Sequence, residues 1–197
     1  MTATRHNRRL DRPREQVLTA ALDMVAESGL EKLTMAALAA RLNTSGGHLL
    51  YYFKTRDGLL LETLRWSEAE YAEQRLPVLR SAAETTEVLP QETVEDTVVA
   101  FADVYLAIDE KDPRWQLWLG LWARAPYHPE LAQAQRDIDA SWHADLVRIL
   151  AAIRPSLDAE GLSERLRAMW DGFSVGIVTG GGRELRTAAL AHTRALL

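Results

Sequence analysis

The sequence predicts an all-α fold of about nine helices. Apolar residues recur at steps of three and four, the repeat of one helix face, from Val17 to the end of the chain. No stretch alternates apolar with polar residues as a half-buried strand does, and no internal repeat is visible. Glycines and prolines fall between the periodic runs, where helix ends are expected.

The first helix runs from Arg14 and carries Val17, Leu18, Ala21, Leu22 and Val25 as one stripe. Ser28-Gly29 stops it, because glycine takes a left-handed conformation at low cost. Thr34 caps a short second helix by accepting a backbone N–H. That helix has Met35, Leu38 and Leu42 at i, i+3 and i+7, and alanines at 36, 37, 39 and 40 that let a neighbour approach closely. Asn43-Thr44-Ser45 makes a tight turn: Asn43 suits a left-handed position, and Ser45 caps a third helix that ends in Tyr51-Tyr52-Phe53. Gly46-Gly47 at its start weakens that helix by roughly 1 kcal/mol per residue relative to alanine. The same glycines leave backbone N–H groups open at a helix N-terminus, where a phosphate can sit. Two helices joined by so short a turn have the geometry that lays the second in a DNA major groove.

A fourth helix starts at the cap Thr55 and carries Leu59, Leu60 and Leu64 to about Arg75, after which Pro77 and Pro90 bracket a looser stretch. The fifth shows Val94, Val98, Phe101, Tyr105 and Ile108 at steps of three or four. Pro113 suits the first turn of the sixth, whose run R-W-Q-L-W-L-G-L-W-A-R-A is halted by Pro126. Pro129 opens a long seventh helix to about Ile153, stopped by Pro155. The eighth spans about Ala159 to Thr179 and breaks at Gly180-Gly181-Gly182. A ninth runs from about Glu184 to the C-terminus.

The segments G-L-E-K-L-T-M-A-A-L-A, S-G-G-H-L-L-Y-Y-F and K-T-R-D-G-L-L, at this spacing, resemble the DNA-binding domain of the tetracycline-repressor (TetR) family of transcriptional regulators. The resemblance covers about the first third of the chain. It implies three parts: a basic tail over residues 1–11, a helix-turn-helix DNA-binding domain over 12–60, and an effector-binding and dimerisation domain over 61–197. It also implies that Thr34, Tyr52 and Arg56 anchor the DNA backbone, with Lys54 beside them, and that Ser45, Gly46, Gly47, His48 and Tyr51 form the base-reading face. Leu50 stands where many members carry an aromatic residue, which moves the expected contact to Tyr51. The implied partners are double-stranded operator DNA of pseudo-palindromic sequence, a small-molecule effector and a second copy of the chain. The implied role is transcriptional repression relieved by the effector.

Net charge is −5, distributed unevenly. Residues 1–60 hold nine Lys/Arg against six Asp/Glu, and residues 61–197 hold fourteen against twenty-two. Affinity for DNA depends on local phosphate neutralisation, so a basic head on an acidic body fits a DNA binder. Arg5, Arg8, Arg9, Arg12 and Arg14 form either an arm for the minor groove or a solvated tail. Cysteine is absent, which excludes disulfides and thiolate metal sites. No run of 18 apolar residues appears and the N-terminus lacks the apolar core of a secretory signal, so a cytoplasmic location is expected. Neither a metal nor a cofactor is expected.

Trp115, Trp118 and Trp122 share one face of the sixth helix, and Phe101 and Tyr105 can face them from the fifth. Such stripes are either packing or the wall of a ligand cavity. With Trp170, the residues Phe101, Tyr105, Trp118 and Trp122 are the candidate effector walls; Tyr127, His128 and His143 are candidate polar partners. The area favours a small apolar or aromatic effector, and a cation over the ring faces is the other possibility. Leu166, Met169, Phe173 and Ile177 on the eighth helix, with Leu190 on the ninth, are more apolar surface than two terminal helices need, and a two-fold four-helix bundle would bury it. An enzyme would need paired carboxylates, a phosphate loop or an H-E-x-x-H pattern, none of which appears; no catalytic residue is expected. Asp137 and Asp139 are expected in solvent. A helical adaptor that binds only protein would not need Thr34, Tyr52 and Arg56 where they stand.

Overall fold

The computed structural model describes residues 14–87, 89–156 and 158–197. The basic residues Arg5, Arg8, Arg9 and Arg12 of the tail lie outside the described residues. Among the described residues there are nine α-helical segments and no strand: α1 (Arg14–Ser28), α2 (Met35–Arg41), α3 (Gly46–Phe53), α4 (Arg56–Ala83), α5 (Gln91–Tyr105), α6 (Pro113–Arg124), α7 (Pro129–Ile153), α8 (Ala159–Gly176) and α9 (Gly182–Ala195). Short 3-10 turns over Leu30–Lys32 and Ala125–Tyr127 and a π turn over Ile177–Gly181 fill three of the joints.

The caps fall where the side chains predict them. Thr34 accepts from Ala37 N at 3.1 Å, Ser45 from His48 N at 3.2 Å and Thr55 from Gly58 N at 2.9 Å; each cap contributes about 1 kcal/mol. Gly29 and Asn43 take the positive φ that their turns need. Lys54 also does so, at φ 62°, in the joint between α3 and α4. Arg14 opens α1 and pairs with Glu62 of α4 at 2.6 Å, so it belongs to the folded body and not to an arm.

Three helix limits differ from the sequence expectation. α4 continues through Pro77 to Ala83. An interior proline costs about 3 kcal/mol, but Pro77 and Glu73, whose carbonyl loses its donor, are both exposed, so water serves that carbonyl. Burial of Arg75 before Pro77 and of Ala82 after it holds the helix to its neighbours on both sides. α5 ends at Tyr105, leaving Ile108 52% exposed instead of on the buried stripe. The glycine triplet does not open a gap between α8 and α9: Gly180 (φ 119°) and Gly182 (φ 52°) carry a continuous bend.

The core is one continuous cluster from Val17 to Ala189. α1 packs on both α4 and α6, α4 on α7, α5 on α9 and α8 on α7 and α9. The expected boundary between residues 60 and 61 therefore falls inside α4, a single rod shared by both parts. The carbonyls left free at the C-terminus of α5 are closed by two arginines, as the negative end of a helix favours. Arg114 donates to Tyr105 O and, at 3.3 Å, to Val104 O; Arg186 donates to Ala107 O at 2.7 Å just beyond.

Two of the residues expected at a dimer interface are spent inside the protomer. Leu166 and Ile177 are fully buried in the core, which corrects their assignment. The helical repeat alone does not say which stripe of a two-sided apolar helix faces inward. Met169, Phe173 and Leu190 are half-buried, and Phe173 stacks on His192 of α9 with ring centroids 5.7 Å apart.

Candidate DNA-reading face and aromatic cavity

The outward side of the N-terminal helices is built by α2, α3 and the start of α4. Ser45, Gly47, Leu50, Tyr51 and Lys54 are exposed along α3, with Tyr51 at 69%. A Cβ added to Gly46 or Gly47 would meet nothing within 4 Å, so no neighbour in the protomer requires glycine there. Thr34 is exposed, and after capping α2 its hydroxyl still has a proton to donate. Lys54 Nζ holds Tyr51 O at 2.8 Å and sits 5.1 Å from the Tyr51 ring centre. Tyr51 and Tyr52 meet edge to face at 5.2 Å. His48 is half-buried: Nδ1 lies 3.2 Å from Thr44 Oγ1, and its ring sits 5.5 Å from that of Tyr52. Arg56 does more inside the protein than expected. Its Nε donates to Leu33 O at 2.9 Å and its Nη2 to Leu30 O at 3.0 Å, which ties the start of α4 to the turn before α2.

The aromatic residues of the larger part enclose a small cavity lined by Tyr105, Arg114, Trp115, Trp118, Trp122, Asp139, Trp142 and Asp171. It has room for about one water molecule. Of the expected walls, Tyr105, Trp118 and Trp122 line it. Phe101 and Trp170 are fully buried behind it, with ring centres 5.4 Å from Trp142 and 5.3 Å from Tyr105 respectively, and the Trp170 indole is held by Thr193 at 2.8 Å. Both therefore support the wall without facing the cavity. Tyr127 is 82% exposed elsewhere, His128 lies 3.9 Å from Asp57, and His143 bridges Ser163 (2.9 Å) and Glu160 (2.7 Å) between α7 and α8. None of the three reaches the cavity.

The cavity carries more charge than helical periodicity suggests. Asp137 stays exposed, as expected; Asp139 does not. It is half-buried in the lining and pairs with Arg167 at 3.4 Å. Burial raises its pKa, with Arg167 opposing. Asp171 is raised by burial as well, partly offset by the Tyr105 hydroxyl, which donates to it at 2.6 Å. Burial, then the Asp171 charge, pushes the Tyr105 phenol well up. Arg167 pairs with Asp139 and its charge also favours the ionised Asp171. Trp122 Nε1 is shielded from solvent and has no hydrogen-bond partner among the described residues. Deeper in, the Glu68 carboxylate of α4 accepts from Trp118 Nε1 and Trp142 Nε1, each at 2.8 Å, and lies 3.8 Å from Arg114. Arg114 in turn covers the Tyr71 ring at 3.7 Å. Sequence reasoning missed Glu68, Arg114, Trp142, Asp139 and Asp171 as a group, because they come from four helices far apart in the chain.

Among the described residues no group of His, Asp and Glu could hold a metal ion, and no helix is long and apolar enough to cross a membrane. A family model described as bacterial regulatory proteins, tetR family, matches residues 17–63, and one described as BetI-type transcriptional repressor, C-terminal, matches residues 90–197. The HTH-type transcriptional regulator BetI of Burkholderia lata is 28% identical over 187 residues, covering 91% of this chain and 90% of its own. The regulator of that name from Serratia proteamaculans is 27% identical over 166 residues, covering 80% and 78%. In fold, the chain is similar to a putative transcriptional regulator from Saccharomonospora viridis in complex with choline (TM-score 0.72, 21% identity, covering 92% of this chain and 91% of that one). It is also similar to a TetR transcription regulator from Haloarcula marismortui (TM-score 0.75, 21% identity, covering 92% and 94%).

Proposed function

Because the chain belongs to the TetR family, with a C-terminal half of the BetI repressor type, we propose that it holds a pseudo-palindromic operator as a two-fold dimer and is released by a small organic cation. Its family makes it a DNA-binding regulator of transcription and not an enzyme. The observation that carries the cation is the lining of the cavity: four indoles and Tyr105 beside the carboxylates of Asp139 and Asp171, with Arg114 at its other side held by Glu68 and backbone carbonyls. Ring faces attract a cation without requiring directed hydrogen bonds. A ligand charge next to Asp139 and Asp171 would offset the cost of keeping them from water. An uncharged lipophilic ligand would leave that cost in place. The choline complex of the Saccharomonospora regulator points to the same ligand class, a quaternary ammonium compound.

On the DNA side, Ser45, Gly46, Gly47, His48 and Tyr51 read bases while Thr34, Tyr52, Lys54 and Arg56 hold phosphates. The bare backbone of Gly46 and Gly47 lets α3 come close to the duplex. Arg56 acts there chiefly by fixing α4 against the turn before α2, with the rest of its guanidinium left for a phosphate. Met169, Phe173 and Leu190 supply the dimer face.

The test has two arms. Selection from random duplex DNA should recover a pseudo-palindrome with half-sites about one helical turn apart. Choline added to the complex should quench tryptophan emission and release that duplex over one concentration range. Recovery of no preferred sequence would remove the operator. Absence of quenching by choline and by tetramethylammonium would remove the cation.

A further inference from the structure

The polar group that ties the cavity to the DNA-reading end is Glu68. We infer that Glu68 is a positioning residue that converts occupation of the aromatic cavity into movement of α4; this rests on the organic-cation reading above. Glu68 is 6% exposed and lies on α4, the helix whose first residue, Arg56, is bonded to the turn before α2. One helix joins the two, about 18 Å long at 1.5 Å per residue. Each Glu68 oxygen accepts one indole, Trp118 from α6 and Trp142 from α7. Its carboxylate thus pins two walls of the cavity to a third helix.

The walls cannot stay where they are when a ligand enters. The cavity has room for about one water, and a quaternary ammonium group is larger. Trp142 has no room to retreat. The Arg75 guanidinium covers its ring at 4.0 Å and is itself held by Asp145 (2.6 Å) and Ser141 (2.8 Å), and Phe101 meets it at 5.4 Å. Trp118 is the pinned wall that must give. Its displacement either strips an indole N–H from a buried carboxylate, which is unfavourable, or carries Glu68 and α4 with it.

Glu68→Gln keeps the size of the side chain but offers one acceptor oxygen in place of two. With the wild type, choline quenching and operator release should share a midpoint. With E68Q that retains a cooperative thermal transition, quenching should stay near the wild-type midpoint, while release should need about tenfold more choline, the size of an ordinary coupling energy. Coincident curves for E68Q would overturn the role of Glu68 and leave the organic-cation reading intact. No quenching of the wild type would overturn both. Should E68Q fail to fold, hydrogen exchange of the wild-type protein decides. Saturating choline should change exchange over residues 56–68 of α4, whereas change confined to α6 would mean that α6 moves without α4 and would overturn the proposal.

Discussion

Asp171 carries a charge that burial opposes and that the Tyr105 hydroxyl only partly supports. Its pKa is raised in the folded protein, so the folded state binds its proton more tightly than the unfolded state. The penalty is absent below the unfolded value, near about 4, and grows as pH rises through the raised folded value. Asp171→Asn keeps an oxygen for Tyr105 and removes the charge. It should raise Tm at neutral pH by up to about 4 °C, flatten the pH dependence on that flank, and weaken choline binding about tenfold, the worth of one charged contact. For the wild type, choline affinity should rise with pH across the same window, because the cation favours the ionised carboxylates. A titration with affinity independent of pH from 4 to 8 would place the cation away from Asp139 and Asp171. Gly47 gives a residue-scale test on DNA. Nothing lies within 4 Å of an added Cβ, so Gly47→Ala should leave the folding stability unchanged or raise it by no more than about 1 kcal/mol of helix propensity, while operator affinity falls. Unchanged affinity would mean that the duplex does not approach α3 closely there.

The element that organises the molecule is α4. Its N-terminus fits against α3 with no space to spare. A Cβ on Gly58 would lie 2.2 Å from Phe53 O, a backbone atom that cannot turn aside. On α6, a Cβ on Gly120 would come within 2.4 Å of Leu30 Cδ2, the end of a side chain that can rotate. Gly58→Ala should therefore cost about 1–3 kcal/mol, and Gly120→Ala distinctly less. Calorimetry on the two variants checks the order; equal losses would mean that α6 is as rigidly seated on the 3-10 turn as α4 is on α3. Along α4, polar links meet α7 at two residues: Glu68, which accepts from Trp142, and Arg75, which pairs with buried Asp145 at 2.6 Å and donates to Ser141 at 2.8 Å. Breaking the Arg75–Asp145 pair by removing one partner costs about 3–5 kcal/mol, so the distal half of α4 is the fixed half. Its head end is held through Arg124 and Asp57 at 3.0 Å, a half-exposed pair of small worth.

At the scale of the whole molecule, the protomer uses only part of the apolar stripe on α8, and the proposed dimer face is the remainder. Leu166 and Ile177 fill the core, while Phe173 and Met169 keep part of their surface outside. Phe173→Asp should thus give a folded monomer with weakened operator binding, since one head holds a half-site alone. Leu166→Asp should abolish the cooperative thermal transition, because a carboxylate would be buried without a partner. Light scattering with thermal melts separates the two outcomes. A dimeric Phe173→Asp would move the interface off this face.

The sequence by itself determined the helices and their caps, because these depend on neighbours in the chain: Thr34, Ser45 and Thr55 each reach an N–H three residues on, and Asn43 and Gly29 each satisfy their own turn. It also determined the helix-turn-helix, which is contiguous from Thr34 to Arg56 and so stays legible as a motif. It did not determine where α4 ends, since whether Pro77 breaks a helix depends on burial at Arg75 and Ala82 against other helices. Nor did it determine the lining of the cavity. Glu68, Arg114, Asp139, Trp142 and Asp171 meet only when α4, α6, α7 and α8 pack. The raised pKa values of Asp139 and Asp171 come from burial, and the hydrogen bonds of Glu68 come from partners as many as 74 positions away. Helical periodicity marks which face of a helix is apolar; only tertiary packing decides what that face meets, and which carboxylates are drawn in with it.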